Sequence, residues 1–414
     1  MSMKSVGIIA EYNPFHDGHR YQIEQSREMT GADVVVACMS GDFVQRGGPA
    51  AFDKWTRARM AVENGVNLVV ELPTVYASSS AEYFAKGGVS VLAGLGMIDY
   101  LSFGSECGDI ERLKSVAASL EMNHKLIHQR IQELIKEGLA YPKARQMAAK
   151  GLLENPEDIY ILDEPNNILA IEYLKQLNGL EQAEDSGTGH GGKMAGHGEK
   201  MAGHGGKMAQ CQHMIPITVK RVGDGHHSSS TKIREGLLRD KTSGYGQAMA
   251  RYFDFARAKA LLADAADLEN AFSSGEGLGN RLKNEIRYAK NIEGLISMVK
   301  SKGYTYTRVS RLLAQALLGI TVESVLEAKP YIRVLAFDDG GARFLKEVKK
   351  RECGSIPIIT NINKDVRPED EIFDTLAVDI KAADMYNLIL GADLYANSDY
   401  VVRPYANLGK GLEK

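Results

Sequence analysis

Four short apolar runs frame the first hundred residues: 6–10, 34–39, 68–72 and 100–103 are rich in Val, Ile and Leu and lack polar alternation. Strands buried on both faces of a parallel sheet carry that signature. Between them, residues 20–30, 53–64 and 81–92 place apolar positions three and four apart, as helices packed by one face do. Strand–helix–strand alternation predicts a doubly wound, Rossmann-like α/β domain with ligand sites at the carboxyl ends of its strands. From 109 to 178 the pattern turns mainly helical (110–120, 124–137, 167–177), then 215–222 returns as a strand, followed by a Ser-rich turn and a helix from Thr231. The Lys-Thr-Ser-Gly-Tyr-Gly stretch beginning at Lys241 reads as a linker, so two domains are expected, 1–241 and 247–414. The second reads as largely helical to about Lys350, with a strand-like run at 356–360 and a last helix near 380–390.

Within the first domain, residues 189–209 repeat a sevenfold unit three times, GHGGKMA, GHGEKMA, GHGGKMA. Gly and His fill the places where a coiled coil needs apolar residues. Ordering His190, His197 and His204 around a metal would cost much chain entropy, so 186–209 is expected to be a flexible Gly/His insertion in a loop. The chain has 414 residues, with 50 basic against 53 acidic side chains and a net charge of −3. That balance excludes a supercharged or disordered chain yet leaves room for a local basic face. Cys38, Cys107, Cys211 and Cys353 are far apart and form no CxxC, which argues against a disulfide scaffold or zinc ribbon. No run approaches the ~20 apolar residues of a membrane span, and the start turns polar at Glu11 and Asn13. The expected compartment is the cytoplasm, with no membrane partner.

The densest chemistry follows the first strand: Glu11-Tyr12-Asn13-Pro14-Phe15-His16-Asp17-Gly18-His19. The chain turns through Asn13-Pro14 and a helix is expected from about Gly18, where the missing side chain lets a ligand approach the backbone. Free N–H groups and the positive end of the helix would face the crevice. Two imidazoles three residues apart suit hydrogen bonding to phosphate oxygens as charge builds during attack at phosphorus. This is the HxGH signature of nucleotidyltransferases and class I synthetases, which supports adenylyl transfer; helix capping by His16 and His19 is the plainer reading. After the late strand, Ser228-Ser229-Ser230-Thr231-Lys232-Ile233-Arg234 resembles that superfamily's Ser-Ser/Thr-x-Ile-Arg motif. Such a helix start caps its own amides or meets phosphate oxygens, with Lys232 or Arg234 supplying charge. A third element, 40–49 with Gly41, Gly47 and Gly48, followed by Lys54, Arg57 and Arg59, reads as a loop closing over phosphates or as a solvated helix face. Asp42 fits either metal assistance or substrate orientation. Absence of a dedicated carboxylate cluster predicts no protein metal site, with Mg²⁺ carried by ATP.

VGIIAEYNPFHDGHRYQ, SGDFVQRGGPAAFDKWTRARMAVENGVNLVVELP, FGSE, PNNILAIEYLK and ITVKRVGDG, in that order, together resemble the bacterial tRNA(Met) cytidine acetate ligase family; KGYTYTRVSRLL at 302–313 extends the likeness. The resemblance implies an HxGH nucleotidyltransferase domain followed by a mostly helical one. It implies two steps: acetate activated with ATP to acetyl-adenylate, then transfer to the wobble cytidine of elongator tRNA(Met), giving N4-acetylcytidine. By motif, catalysis falls to His16, His19 and Gly18. ATP contacts fall on Ile9, Ala10, Glu11, Tyr12, Asn13, Pro14, Phe15, His16, Asp17, Gly18, His19, Arg20, Tyr21 and Gln22, then Gly104, Asn166 or Asn167, and Arg221, with Arg234 offsetting phosphate charge. The chain departs from the family pattern at the repeat and at Gly223–Ser230, where His226-His227 run quickly into the Ser-rich motif, leaving the roles of His226, His227 and Ser229 open.

On the RNA side, Arg281, Lys283, Arg287 and Lys290 share helical spacing, and Lys300, Lys302, Arg308 and Arg311 surround Tyr304 and Tyr306. Cations among aromatics pair with phosphates and stack on unpaired bases, which makes the C-terminal domain the candidate for tRNA docking; a solvated helix face is the bland alternative. Two other functions fit the same motifs: a nucleotidyltransferase acting on a small phosphorylated acceptor, and a non-catalytic RNA-binding protein built on a nucleotide fold.

Overall fold

A computed structural model of the chain describes residues 3–185, 213–221, 230–240, 242–275, 277–301 and 304–409. Outside these lie the Gly/His repeat, Cys211, Gly223, Asp224 and Gly225, His226, His227, Ser228 and Ser229, Lys241 and Lys302. Ten strands are described: β1 (Ser5–Ala10), β2 (Val34–Ser40), β3 (Phe43–Val44), β4 (Gly48–Pro49), β5 (Leu68–Leu72), β6 (Tyr100–Ser105), β7 (Ile215–Lys220), β8 (Ile332–Asp338), β9 (Ile358–Ile359) and β10 (Tyr405–Asn407). Eight join one sheet in the order β10-β8-β5-β2-β1-β6-β7, with β9 added beside β8; β3 and β4 make a separate hairpin. Every pairing in the large sheet is parallel except β5 with β8. From β1 the chain winds to β2 and β5 on one side, then crosses to β6 and β7 on the other. The crevice between β1 and β6 is therefore the switch point, where ligands of such sheets bind.

Unalternated strands are buried on both faces, as their composition requires: β2 and β5 are buried at every position. One face packs Val36, Cys38, Val70 and Leu101 with the helices Ala81–Gly94 and Pro165–Asp185, and the other packs Val6, Ile8, Val35 and Val69 beneath the helices Asp17–Thr30 and Lys54–Glu63. Close packing leaves Gly88 no room for a side chain, since a Cβ there would sit 2.7 Å from Ile9 Cδ1.

The C-terminal segment differs most from the sequence pattern. Between Tyr245 and Leu326 the described elements are helices, but Ile332–Asp338 is a strand hydrogen-bonded to β5, so the segment beyond the expected boundary at 241–247 returns to the same sheet. A short apolar run buried on both faces has no period that separates it from a buried helix, and Arg333 interrupts it further. The hairpin β3–β4 is clamped as well. At Gly47 (φ +83°) a Cβ would lie 2.2 Å from the backbone nitrogen of Arg311, on the helix Tyr306–Leu318. Ser310 Oγ donates to Gly47 O, and Arg311 Nη1 donates to Gln45 O at 3.3 Å.

Candidate active site

The HxGH turn sits where β1 ends. Tyr12 is buried in the left-handed region (φ 46°), the Asn13–Pro14 bond is cis, and His16 caps the helix Asp17–Thr30. The cap is made of imidazoles. Gly18 N–H donates to His16 Nδ1 at 3.0 Å, and His16 N–H donates to His19 Nδ1 at 3.2 Å. With its Nδ1 accepting, each ring, when neutral, carries its proton on Nε2 and donates from there. The rings stack, centroids 3.8 Å apart and 26° between planes, with Tyr12 and Phe15 packed against His19 at 4.9 and 5.5 Å. Burial first, then His16 and Arg221, hold His19 well below the ordinary imidazole value of 6.5, so it is neutral.

One expectation changes here, and another gains a second reason. The first-turn amides are not free: those of Gly18, His19 and Arg20 go to His16 Nδ1 and to His16 O. Gly18 is required by the cap itself, because a Cβ would come within 2.8 Å of His16 Cε1. The remaining residues of the segment spread out. Ile9 and Ala10 lie on β1, Asp17 pairs with Arg20 at 3.3 Å on the exposed side, and Tyr21 and Gln22 lie half-buried one turn on. Glu11 Oε1 accepts from Gln45 N–H at 2.9 Å, and Asn13 Oδ1 accepts from Ala51 N–H at 2.8 Å.

Across the switch point, Gly104 of β6 pairs with Val219 of β7, and Arg221 Cγ is the nearest atom, at 3.6 Å, to a Cβ placed on Gly104. Glu106, which sequence reasoning did not single out, organises this side. Its carboxylate accepts from Asn166 Nδ2 at 2.5 Å and Asn167 N–H at 3.0 Å, and lies 3.8 Å from Arg221 Nε. Its only signal was its place in FGSE. Asn166 and Asn167 separate: Asn167 is buried, its Oδ1 accepting from Cys107 N–H at 3.0 Å, whereas Asn166 is half-buried. Arg234 joins from the helix Ser230–Arg239, donating from Nη1 to Asn13 O at 2.5 Å, while Ser230 Oγ reaches Pro14 O at 3.3 Å. The structure thus brings His16, Gly18, His19, Gly104, Asn166, Arg221 and Arg234 to one end of the sheet.

The cations after the Gly-rich stretch do not join them. Arg57 is fully buried and donates to the carbonyls of Phe52, Glu11, Ser40 and Gly41. Buried Lys54 Nζ lies 2.8 Å from both Glu71 Oε1 and Asp399 Oδ2, and Arg59 pairs with Glu63 at the surface. Asp42 is buried, accepting from Lys54 N–H at 2.8 Å, and burial pushes its carboxyl up to about 7 despite Lys54 and Arg57. The loop itself is held to Glu11 through Gln45 and to Ser310 through Gly47, with Arg46 exposed at its tip. Among the described residues no group of three His, Cys, Asp or Glu side chains is placed to hold a metal ion. No described helix is long and apolar enough to cross a membrane.

A family model described as HIGH Nucleotidyl Transferase matches residues 3–186 and 233–399. The tRNA(Met) cytidine acetate ligase of Caldicellulosiruptor saccharolyticus is 36% identical over 416 residues, covering 93% of this chain and 94% of that protein. Its counterpart from Clostridium perfringens is 34% identical over 437 residues, covering 97% and 99%. The crystal structure of Thermotoga maritima TmcAL bound with alpha-thio ATP superposes with a TM-score of 0.79 at 29% identity, covering 98% of this chain and 100% of that one.

Proposed function

Because the chain belongs to the tRNA(Met) cytidine acetate ligase family, we propose that it activates acetate with ATP and acetylates the wobble cytidine of elongator tRNA(Met). The observation that carries this reading is the stacked, backbone-capped imidazole pair at the switch point. It supplies two Nε2–H donors on a rigid helix start, suited to an α-phosphate gaining negative charge. A carboxylate oxygen of acetate attacks the α-phosphorus, the bond to the β-phosphate oxygen breaks, and pyrophosphate leaves. His16 and His19 donate hydrogen bonds throughout, and a neutral His19 gives no proton away. Arg221, steadied by Glu106, offsets phosphate charge. Asn166 lies beside the same carboxylate, at the end of the sheet where the ATP would sit. Arg234 works one step removed, holding the Asn13 carbonyl and so the turn that presents both rings.

In the second step the cytidine N4 amine attacks the acetyl carbonyl carbon, AMP departs, and the amine loses a proton. An acyl-adenylate is already activated, so positioning supplies most of what remains. Mg²⁺ would enter on the ATP phosphates, whose oxygens suit that ion.

The test is acetate-dependent exchange of labelled pyrophosphate into ATP, followed by transfer of labelled acetate to a tRNA(Met) transcript. His19→Ala should lower exchange by about 10²–10³-fold, as loss of one transition-state donor does, with the circular dichroism spectrum unchanged. Exchange that ignores acetate, or native rates in His19→Ala, would refute the assignment. A small phosphorylated acceptor replacing acetate as the stimulant would favour the nucleotidyltransferase alternative, and RNA binding with no ATP turnover the non-catalytic one.

A further inference from the structure

Of the eight cationic side chains expected to dock RNA, several hold the protein together instead. Arg281 donates to Met298 O, Lys283 to Ala263 O, and Arg308 to Ser273 O and Ser274 O. Arg311 is committed to Gln45 O, and burial lowers its guanidinium to about 10. Arg287, Lys290 and Lys300 are exposed. Lys290 stands at the rim of a cleft of about 240 Å³ between the helices Ser230–Arg239, Tyr245–Leu262 and Ile292–Val299.

We propose that this cleft receives an unpaired RNA base bearing an exocyclic amine, from the same loop as the reacting cytidine; the inference rests on the RNA substrate named above. Its size falls just under the ~300 Å³ lower bound of small-molecule sites, suiting one heterocycle rather than a whole nucleotide. Leu238, Met249 and Phe253 give it an apolar lining for a ring face. Asp254 and Glu293, both exposed on its lining, place carboxylates where a base amine donates, the pairing that carboxylates make with cytosine N4. Lys290 adds the charge a neighbouring phosphate needs. Arg257, one turn beyond Phe253, sends Nη2 to Arg287 O at 3.2 Å, which sets two guanidinium-bearing residues side by side beyond the rim. Exposed Tyr288 adjoins them.

Location strengthens the assignment. Arg234, which grips the HxGH turn, and Leu238, which lines the cleft, are one turn apart on one helix, about 6 Å along its axis. A strand of RNA presenting one base to the phosphate crevice passes this cleft with its neighbours, and loop bases splayed from the stack are how proteins read single-stranded RNA.

Two variants of the full chain test it. Ala250→Trp fills the cleft from an exposed helix position, and Lys290→Glu reverses charge at its rim. Each should leave acetate-dependent pyrophosphate exchange within about twofold of native while raising KM for the tRNA(Met) transcript about tenfold, the scale of losing one stacked base. In native enzyme, transcripts in which each amine-bearing base of the loop other than the reacting cytidine is changed singly to uridine, which lacks the amine, should include one that reproduces the KM rise, and with Ala250→Trp that transcript should add nothing further. Native KM values in both variants would overturn the proposal. Acetate-dependent exchange without acetyl transfer to RNA by the intact native chain would instead remove the RNA reading itself.

Discussion

A histidine ring whose Nδ1 already accepts a backbone amide must break that hydrogen bond to become an imidazolium. His19 is in this position, stacked on His16, half-buried, and near Arg221. Its pKa is held well below 6.5, so the unfolded chain takes up a proton near that value while the folded chain refuses it. Stability from this group is complete above pH 6.5 and is lost as pH falls below it, toward the lower folded-state pKa. In a histidine-labelled NMR titration, the His19 Cε1–H resonance, assigned with His19→Ala, should stay flat down through pH 6.5 and shift only at lower pH. A midpoint at or above 6.5 would show an ordinary exposed imidazole and undo the cap. The spacing His16-x-Gly18-His19 announced the pair because spacing fixes which side chains meet on one helical turn. Glu106 was not announced, since its partners come from segments 60 and 115 residues away. Lys54 and Arg57 misled for the opposite reason: residue type declares a charge but not its burial.

Elements built from unbroken apolar runs were legible, because β1, β2, β5 and β6 sit deep in a parallel sheet and need no polar face. What the pattern hid was the buried ionic cluster where β2, β5, β8 and the loop at Asp399 converge. Lys54 bridges Glu71 and Asp399, and Arg333 Nη1 lies 2.6 Å from Asp399 Oδ2 and 3.5 Å from Glu71 Oε2. Trp55 lies beneath both cations, its ring centroid 5.6 Å from Lys54 Nζ and 5.3 Å from the Arg333 guanidinium carbon. Asp379, held well above the usual carboxylate range by burial and Glu71, accepts from Tyr331 OH and from Thr74 N–H nearby. Such a cluster need not add net stability over apolar packing, but removing one member leaves an uncompensated buried charge. Lys54→Met should therefore cost about 3–5 kcal/mol, read from the urea midpoint at unchanged m-value. A change below about 1 kcal/mol, the range of an exposed ion pair, would place Lys54 outside the cluster.

At the scale of the whole molecule, the residues proposed to meet phosphate come from the first 234 positions, yet the sheet that aligns them is completed from beyond 330. Cutting the chain at 241 would strip β8 from β5 and leave an open edge. It would remove Leu335 and Ala336 from the core beneath the helix Asp17–Thr30, and Asp399 and Arg333 from the ionic cluster. The hairpin bound to Glu11 would also lose the helix that clamps it. These losses fall on β5, two strands from β1, and on the core beneath the helix Asp17–Thr30, so they reach the imidazole pair through its support rather than by contact. Fragment 1–241 should accordingly show no near-ultraviolet dichroism, unfold without a cooperative transition, and fail to protect β2 amides from hydrogen exchange, while the full chain shows the dichroism, melts cooperatively and protects those amides. Adding 247–414 in trans should restore protection if the halves fold as one body. A fragment that melts cooperatively and binds ATP as the full chain does would show that the sheet closes without its C-terminal strands, and that Asp399 and Arg333 balance charges the first half can carry alone.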